Sequence, residues 1–243
     1  NASGSVMYKR AINAVSNPDE FDMNMLVTPG VIHEYHTQVT NHAISKVEDR
    51  ADAFYVMDGS RWGRSVTNAV ADVKGIDTNY AGTYYPWVKI LDPDLDKPVW
   101  VPPSVVIPGV IANTDAVAHE WFAPAGLNRG GLGSVIEAKT RLTHKERDTL
   151  YEGRVNPIAS FPQQGVVVFG QKTLQGKPSA LDRINVRRLL IRLRKFIASS
   201  SKYLVFEQNT AATRNRFLGI VNPFLNSVQA NSGLSAFKVV MDD

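Results

Sequence analysis

Cysteine is missing from all 243 residues. That excludes disulfides, thiolate metal centres and cysteine nucleophiles, and it leaves stability to packing alone. Also missing is any uninterrupted apolar run of about 18 residues, the length a membrane-spanning helix needs. No charged-then-apolar leader opens the chain, and no repeat or low-complexity segment breaks it. Acidic residues are almost absent from one stretch, between Arg183 and Lys195, where much of the mild net charge of +4 resides. A nucleic-acid binder acting through its whole surface is therefore not implied. With 44% hydrophobic and 21% charged residues, the composition is that of an ordinary globular chain, enough for one large domain or two small ones. The chain starts on Asn1 rather than methionine and stops on Asp242 and Asp243 just after an apolar segment, so it reads as an internal piece of something longer.

What is present is an alternation of helix and strand patterns. Residues 6–15 form a short helix candidate closed by Pro18, and 23–27 a buried strand turned by Thr28-Pro29-Gly30. Tyr35, Val39, Ala43 and Val47 recur at helical spacing before the apolar strand 53–57, an order that predicts a parallel crossover. A helix at 65–73, an aromatic β-prone stretch at 80–91 and a strand at 98–101 complete an α/β half. Between 104 and 119 the apolar pattern suits a buried helix, yet Pro108-Gly109 should kink or interrupt it. Four glycines make 126–133 a loop, 135–142 a possible strand, and Thr143-His-Lys-Glu146 a capping box opening a helix to about Leu150. An extended segment at 155–158 leads to Gly165-Val-Val-Val-Phe-Gly170, expected as the central strand. Beyond it come a long helix, a possible strand at 203–206, a helix at 210–230 kinked by Pro223, and a last strand at 236–241. The fold class expected is α/β, α+β in the C-terminal part, with two layered domains of mixed sheets flanked by helices. Their boundary is expected near 141–146, giving domains 1–143 and 144–243.

The long helix has the most informative pattern. Ser179-Ala-Leu-Asp182 has capping-box spacing, and the helix ends near Ser199-Ser200-Ser201. At a hundred degrees per residue, Val186, Leu189, Leu190, Leu193, Phe196 and Ile197 share one face, and Arg183, Arg187, Arg188, Arg192, Arg194 and Lys195 the other. Cations so crowded repel unless solvent, salt or an acidic partner compensates, which makes the basic face a candidate interface.

Several stretches approach catalytic motifs and fail. A phosphate loop needs two glycines four residues apart followed at once by lysine and a hydroxyl residue. After Gly170, Gln171 displaces Lys172-Thr173, and the Gly170 to Gly176-Lys177 spacing is one residue too long, with Pro178 where the hydroxyl should be. His33-Glu34-Tyr35-His36 lacks the His-Glu-x-x-His spacing of a zinc helix, and His42 lies too far along to repair it. Asp92-Pro-Asp94-Leu-Asp96 opens like a calcium loop, but the sixth position is Lys97 and the twelfth Pro103. There is no Gly-x-Ser-x-Gly elbow, and nothing ties His119 or His144 to a serine or an acid. Trp62, Trp87, Trp100 and Trp121 either plug domain edges or anchor an interface. No residues emerge that perform chemistry, and neither a metal nor a cofactor is expected.

Four ordered blocks carry a resemblance: Trp121-Phe-Ala-Pro-Ala-Gly126 with Arg129-Gly130, Gly165-Val-Val-Val-Phe-Gly-Gln-Lys-Thr-Leu174, Leu181-Asp-Arg-Ile-Asn-Val-Arg-Arg-Leu-Leu190 and Arg216-Phe-Leu-Gly-Ile-Val-Asn-Pro-Phe-Leu225. Together the sequence resembles the contractile tail sheath proteins of T-even-type bacteriophages from about Met25 to the end. The resemblance implies a fragment of a larger multidomain subunit, with residues 1–143 in the sheath middle domain and 144–243 in its conserved C-terminal domain, truncated before a final arm. It implies a subunit that stacks in six-fold helical rings around a tail tube and contracts to drive the tube through the host envelope for genome ejection. The implied partners are other sheath subunits, the tail tube protein, and baseplate and tail terminator proteins, without membrane, small-molecule substrate or cofactor. The implied location is the virion tail, after assembly in the cytoplasm of the infected bacterium. Arg183, Arg187, Arg188, Arg192, Arg194 and Lys195 then become candidates for a tube or subunit interface. A nucleic-acid-binding module using the basic helix 183–195 is the alternative.

Overall fold

A computed structural model describes residues 2–241, which fall into two compact units, Asn1–Arg188 and Leu189–Asp243. The first begins with α1 (Ala2–Ala14), β1 (Met25–Ile32), α2 (His33–Arg50), β2 (Phe54–Asp58), α3 (Val66–Val73) and β3 (Ala81–Tyr85). Every residue of β2 and β3 is buried, so both read as continuous apolar or aromatic runs rather than as alternating ones, the mark of strands covered on both faces. β1, β2 and β3 pair in parallel, as the strand, helix, strand order predicts. Ser65 caps α3 by accepting the Asn68 amide. On α2, Val39, Ala43 and Val47 face the core as their spacing requires, but Tyr35 is 58% exposed. The cause is His36, whose non-helical φ of −126° and ψ of 38° rotates the first turn away from the rest of the helix.

The chain breaks after β3 at Pro86 and enters a second, antiparallel sheet: β4 (Val88–Asp92) lies between β5 (Lys97–Val101) and β6 (Val135–Ala138). Between β5 and β6 lies α4 (Ile107–Val117), which Pro108 does not interrupt, because it occupies the first turn, where no intrahelical donor is needed. β6 is shorter than the predicted 135–142. α5 (His144–Glu152) starts with the predicted capping box: Glu146 N–H donates to Thr143 Oγ1 at 3.3 Å, and the Thr143 amide donates back to Glu146 Oε2 at 2.8 Å. Then β7 (Val155–Phe161) pairs in parallel with β3, and β8 (Gly165–Val168) closes an antiparallel hairpin with β7.

The main sheet thus runs β1-β2-β3-β7-β8, and the apolar Gly165–Val168 strand is its edge and not its centre. Three valines are nevertheless buried there, because the glycine loop 126–132 lies along the free edge. Gly126 N–H donates to Val168 O at 2.8 Å, Val168 N–H to Gly130 O at 2.8 Å and Leu132 N–H to Val166 O at 2.9 Å. An edge strand with unpaired backbone is a template for aggregation, and this loop covers it. Because β3–β7 pairing crosses residue 143, the first compact unit continues past the boundary expected there and reaches Arg188.

Ser179 caps only a short 3-10 turn, Ala180–Asp182, since Arg183 is extended (φ −111°, ψ 134°). The long helix α6 begins after it, at Ile184–Ser201. In the second unit α7 (Ala211–Ala230) runs through Pro223, and Phe196 stacks on Phe224 with ring centroids 3.8 Å apart. Two predicted strands are absent. Residues 202–204 form a 3-10 turn, and Phe206 has φ of 71°, which no strand accommodates. Residues 236–241 are irregular.

One buried carboxylate ties the layers of the first unit together. Asp58, 2% exposed at the end of β2, accepts the Ser104 amide at 3.0 Å and the Ser104 hydroxyl at 2.6 Å. Burial outweighs these bonds and pushes its pKa up to about 6. The folded state thus holds the proton more tightly than the unfolded chain, so the stability linked to Asp58 is complete below about pH 4 and is lost as pH rises through about 6. Urea unfolding at fixed pH should show a fall of roughly 2 to 3 kcal/mol across that interval from this group. In Asp58→Asn the corresponding part of the slope should vanish; an unchanged profile would assign it elsewhere.

Candidate interaction surface

The segment entering α6 is fixed by a buried amide. Asn156 on β7 donates from Nδ2 to Thr83 O at 3.0 Å and Lys172 O at 2.8 Å, and its Oδ1 accepts the Lys172 amide at 2.6 Å. Ile184 N–H donates to Gln171 O at 2.9 Å, which sets the first turn of α6 against that segment. Arg154, held at φ of 64°, adds guanidinium bonds to the carbonyls of Lys74, Ile76 and Leu174.

The six basic side chains do not form one exposed face. Arg187 is 8% exposed, with its guanidinium 4.1 Å from the Tyr80 ring centroid. Arg188 is 5% exposed and bidentate to Asp115 at 2.8 and 2.5 Å, with a further bond to Glu120 O at 3.2 Å. Arg183 donates to the Tyr151 hydroxyl at 3.0 Å and lies over that ring. Lys172 lies over the same ring at 4.4 Å, and burial, followed by repulsion from Arg183, lowers its pKa. Arg192 and Arg194 are exposed and Lys195 half-buried. α6 buries Ile184, Arg187, Arg188, Leu189 and Ile191, so Leu189 is inside as expected, while Leu190 and Ile197, also expected inside, are exposed. Periodicity assigns arginine outward; an acid and an aromatic ring supplied from far along the chain reverse that assignment.

Two features have no signal in the sequence. One is an open groove of about 400 Å³ between α5 and the end of β8, lined in part by Ala125, Arg147, Tyr151, Pro157 and Phe169. Phe161 and Phe169 pack with centroids 5.0 Å apart, and the Arg147 guanidinium lies 5.1 and 5.5 Å from them. The other is the turn after α6, where Tyr203, Val205 and Phe206 are 83%, 58% and 103% exposed.

The motif-like stretches take structural roles. His33 Nδ1 bonds the Thr40 hydroxyl at 2.7 Å while His36 Nδ1 bonds Ile32 O at 3.2 Å, so the two imidazoles have separate partners. Asp92 Oδ1 accepts the amides of Asp94 and Leu95, which makes its stretch the β4–β5 hairpin turn. Among the described residues no cluster of three or more His, Asp or Glu is placed to hold a metal, and no helix is long and apolar enough to cross a membrane. Trp62 meets Trp100 edge-on with Lys139 above both, Trp87 donates to Ser60 O, and Trp121 stacks on His119.

Residues 2–174 match the family described as the phage tail sheath protein central domain. Over 189 residues, 77% of the chain, the sequence is 38% identical to the tail sheath protein of Vibrio phage KVP40, and over 143 residues, 59% of the chain, 41% identical to that of Enterobacteria phage T4. The chain spans only 28% and 22% of those relatives' lengths. Among solved structures, the PVC sheath complex of an extracellular contractile injection system in its contracted state is similar at a TM-score of 0.75 with 25% identity, covering 97% of this chain and 66% of that one. The anti-feeding prophage baseplate, six-fold symmetrised, contains a chain similar at 0.74 with 26% identity, covering 90% and 57%.

Proposed function

The chain belongs to the phage tail sheath family, and from that premise we propose that it is part of a structural, non-catalytic subunit of a contractile phage tail. The subunit polymerises as stacked six-fold helical rings around a tail tube, and on triggering it shifts to a shorter, wider lattice that drives the tube through the host envelope and ejects the genome. No cofactor or nucleotide is consumed. The free energy is stored at assembly in contacts less favourable than those of the contracted lattice, a bistable interface. The observation that carries this reading is the match of residues 2–174 to the sheath central domain, together with the fold shared with a sheath complex in its contracted state. The partners are further sheath subunits, the tail tube, the baseplate and a tail terminator. The site of action is the virion tail, after assembly in the cytoplasm of the infected bacterium. The central-domain match runs to residue 174, so the conserved C-terminal part of the sheath would begin near there and not at residue 144.

The basic residues enter this reading through the exposed Arg192 and Arg194 and the half-buried Lys195 of the second unit. Reversing Arg192, Arg194 and Lys195 to glutamate in the full-length subunit should leave its circular dichroism and urea midpoint near those of the parent, and reduce assembly on purified tail tubes at least tenfold by electron microscopy. Contractile sheaths of normal yield would remove these cations from the interface. DNA binding through helix 183–195 predicts instead a steep loss of affinity with salt.

A further inference from the structure

The two features without a sequence signal complement each other. Phe206 has its whole side chain in water and a backbone in the left-handed region, which is costly for a bulky residue. Tyr203 and Val205 beside it are also exposed, so the turn after α6 presents an apolar knob closed by an acidic residue, Glu207. The groove between α5 and β8 is the corresponding hole. Its volume of about 400 Å³ lies in the range of sites that enclose an organic group, its wall includes Phe169 (43% exposed), Pro157 and Tyr151, and its rim carries Arg147 together with His144 and Asp148, which bond each other at 2.9 Å.

Resting on the sheath reading, we propose that the turn 203–207 of one copy docks in the α5–β8 groove of a second copy, Phe206 entering the aromatic wall and Glu207 meeting Arg147. Charge complementarity selects this occupant: the acidic residue follows the knob directly, the Arg147 guanidinium lies over the rings the knob would join, and the one acid on the groove's rim, Asp148, is already bonded to His144. A buried phenylalanine removes about 150 to 250 Å² from water, enough to act as an anchor. Because knob and hole are different surfaces of one chain, the contact is heterologous: each copy offers one of each, and the association propagates as a ring or a helix instead of closing as a dimer.

These 243 residues hold no cysteine, and any cysteine elsewhere in the full-length subunit is first replaced by serine. Full-length subunits carrying Gln208→Cys, just outside the knob, are mixed with subunits carrying Ala125→Cys in the groove wall, assembled, oxidised, and digested for mass spectrometry; Thr37→Cys, on α2, replaces the groove cysteine as a control. The 208–125 link should form between copies at least tenfold over the control. In a second measurement, Phe206→Ala should weaken assembly at least tenfold with an unchanged urea midpoint, since the side chain it removes is fully exposed. Assembly with no 208–125 link above control, or a link from position 208 to a tube or baseplate protein in its place, overturns this contact and leaves the sheath reading intact. Subunits that do not associate at all overturn both.

Discussion

Replacing Arg188 with alanine is expected to lower the unfolding free energy of the first compact unit by about 3 kcal/mol, the lower end of what breaking a buried ion pair costs. The lower end applies because the Asp115 side chain keeps 28% exposure while Arg188 keeps 5%, so the stranded carboxylate retains some water. Two guanidinium bonds to Asp115 and one to Glu120 O disappear together. Urea unfolding followed by circular dichroism measures the loss. Adding Asp115→Ala should recover part of it, since the remaining charge is then gone. Arg194→Ala, on the exposed side of α6, should change stability by less than about 0.5 kcal/mol. Equal effects at 188 and 194 would refute the division of the basic residues into buried and exposed sets.

Gly130→Ala should be nearly as damaging, at about 3 kcal/mol, for a purely spatial reason. A Cβ at this position would lie 2.6 Å from Val168 O and 2.8 Å from both Gly126 N and Gly126 O. All three are backbone atoms that cannot turn aside as a side chain would. The loop must lift from β8, so hydrogen exchange should accelerate first at the Leu132 and Val168 amides, which donate across that seam. Gly131→Ala is the matched control: its Cβ would meet nothing within 4 Å. Comparable losses in the two variants would mean that the glycines serve only loop flexibility.

The elements legible from the sequence are those whose signals are local. Capping at Thr143, the spacing of Val39, Ala43 and Val47, and the fully buried run of β2 need only neighbouring residues to be read, and each element forms where expected. What stays hidden depends on partners distant in sequence. Gly165-Val-Val-Val looks central because it is apolar, and it is an edge because residues forty positions earlier cover it. Arg187 and Arg188 look solvated because their partners, Tyr80 and Asp115, lie on other elements. Apolar residues at 203–206 resemble a strand, but no neighbouring strand is supplied to pair with them, and they form a turn. The family could be read from ordered blocks of sequence; the groove could not, because α5 and β8 make it only once folded.

The parallel pairing of β3 with β7 also dictates the order in which this molecule can be made. Between those two strands the ribosome must deliver the whole second sheet together with α4 and α5. At ordinary elongation rates that interval lasts on the order of 10 s. During it β3, which is destined for full burial, has only β2 beside it. Non-local strands of this kind are slow to close and vulnerable to aggregation while they wait. A nascent chain stalled just short of Val155 should therefore recruit chaperones strongly, and one extended past Val168 should release them.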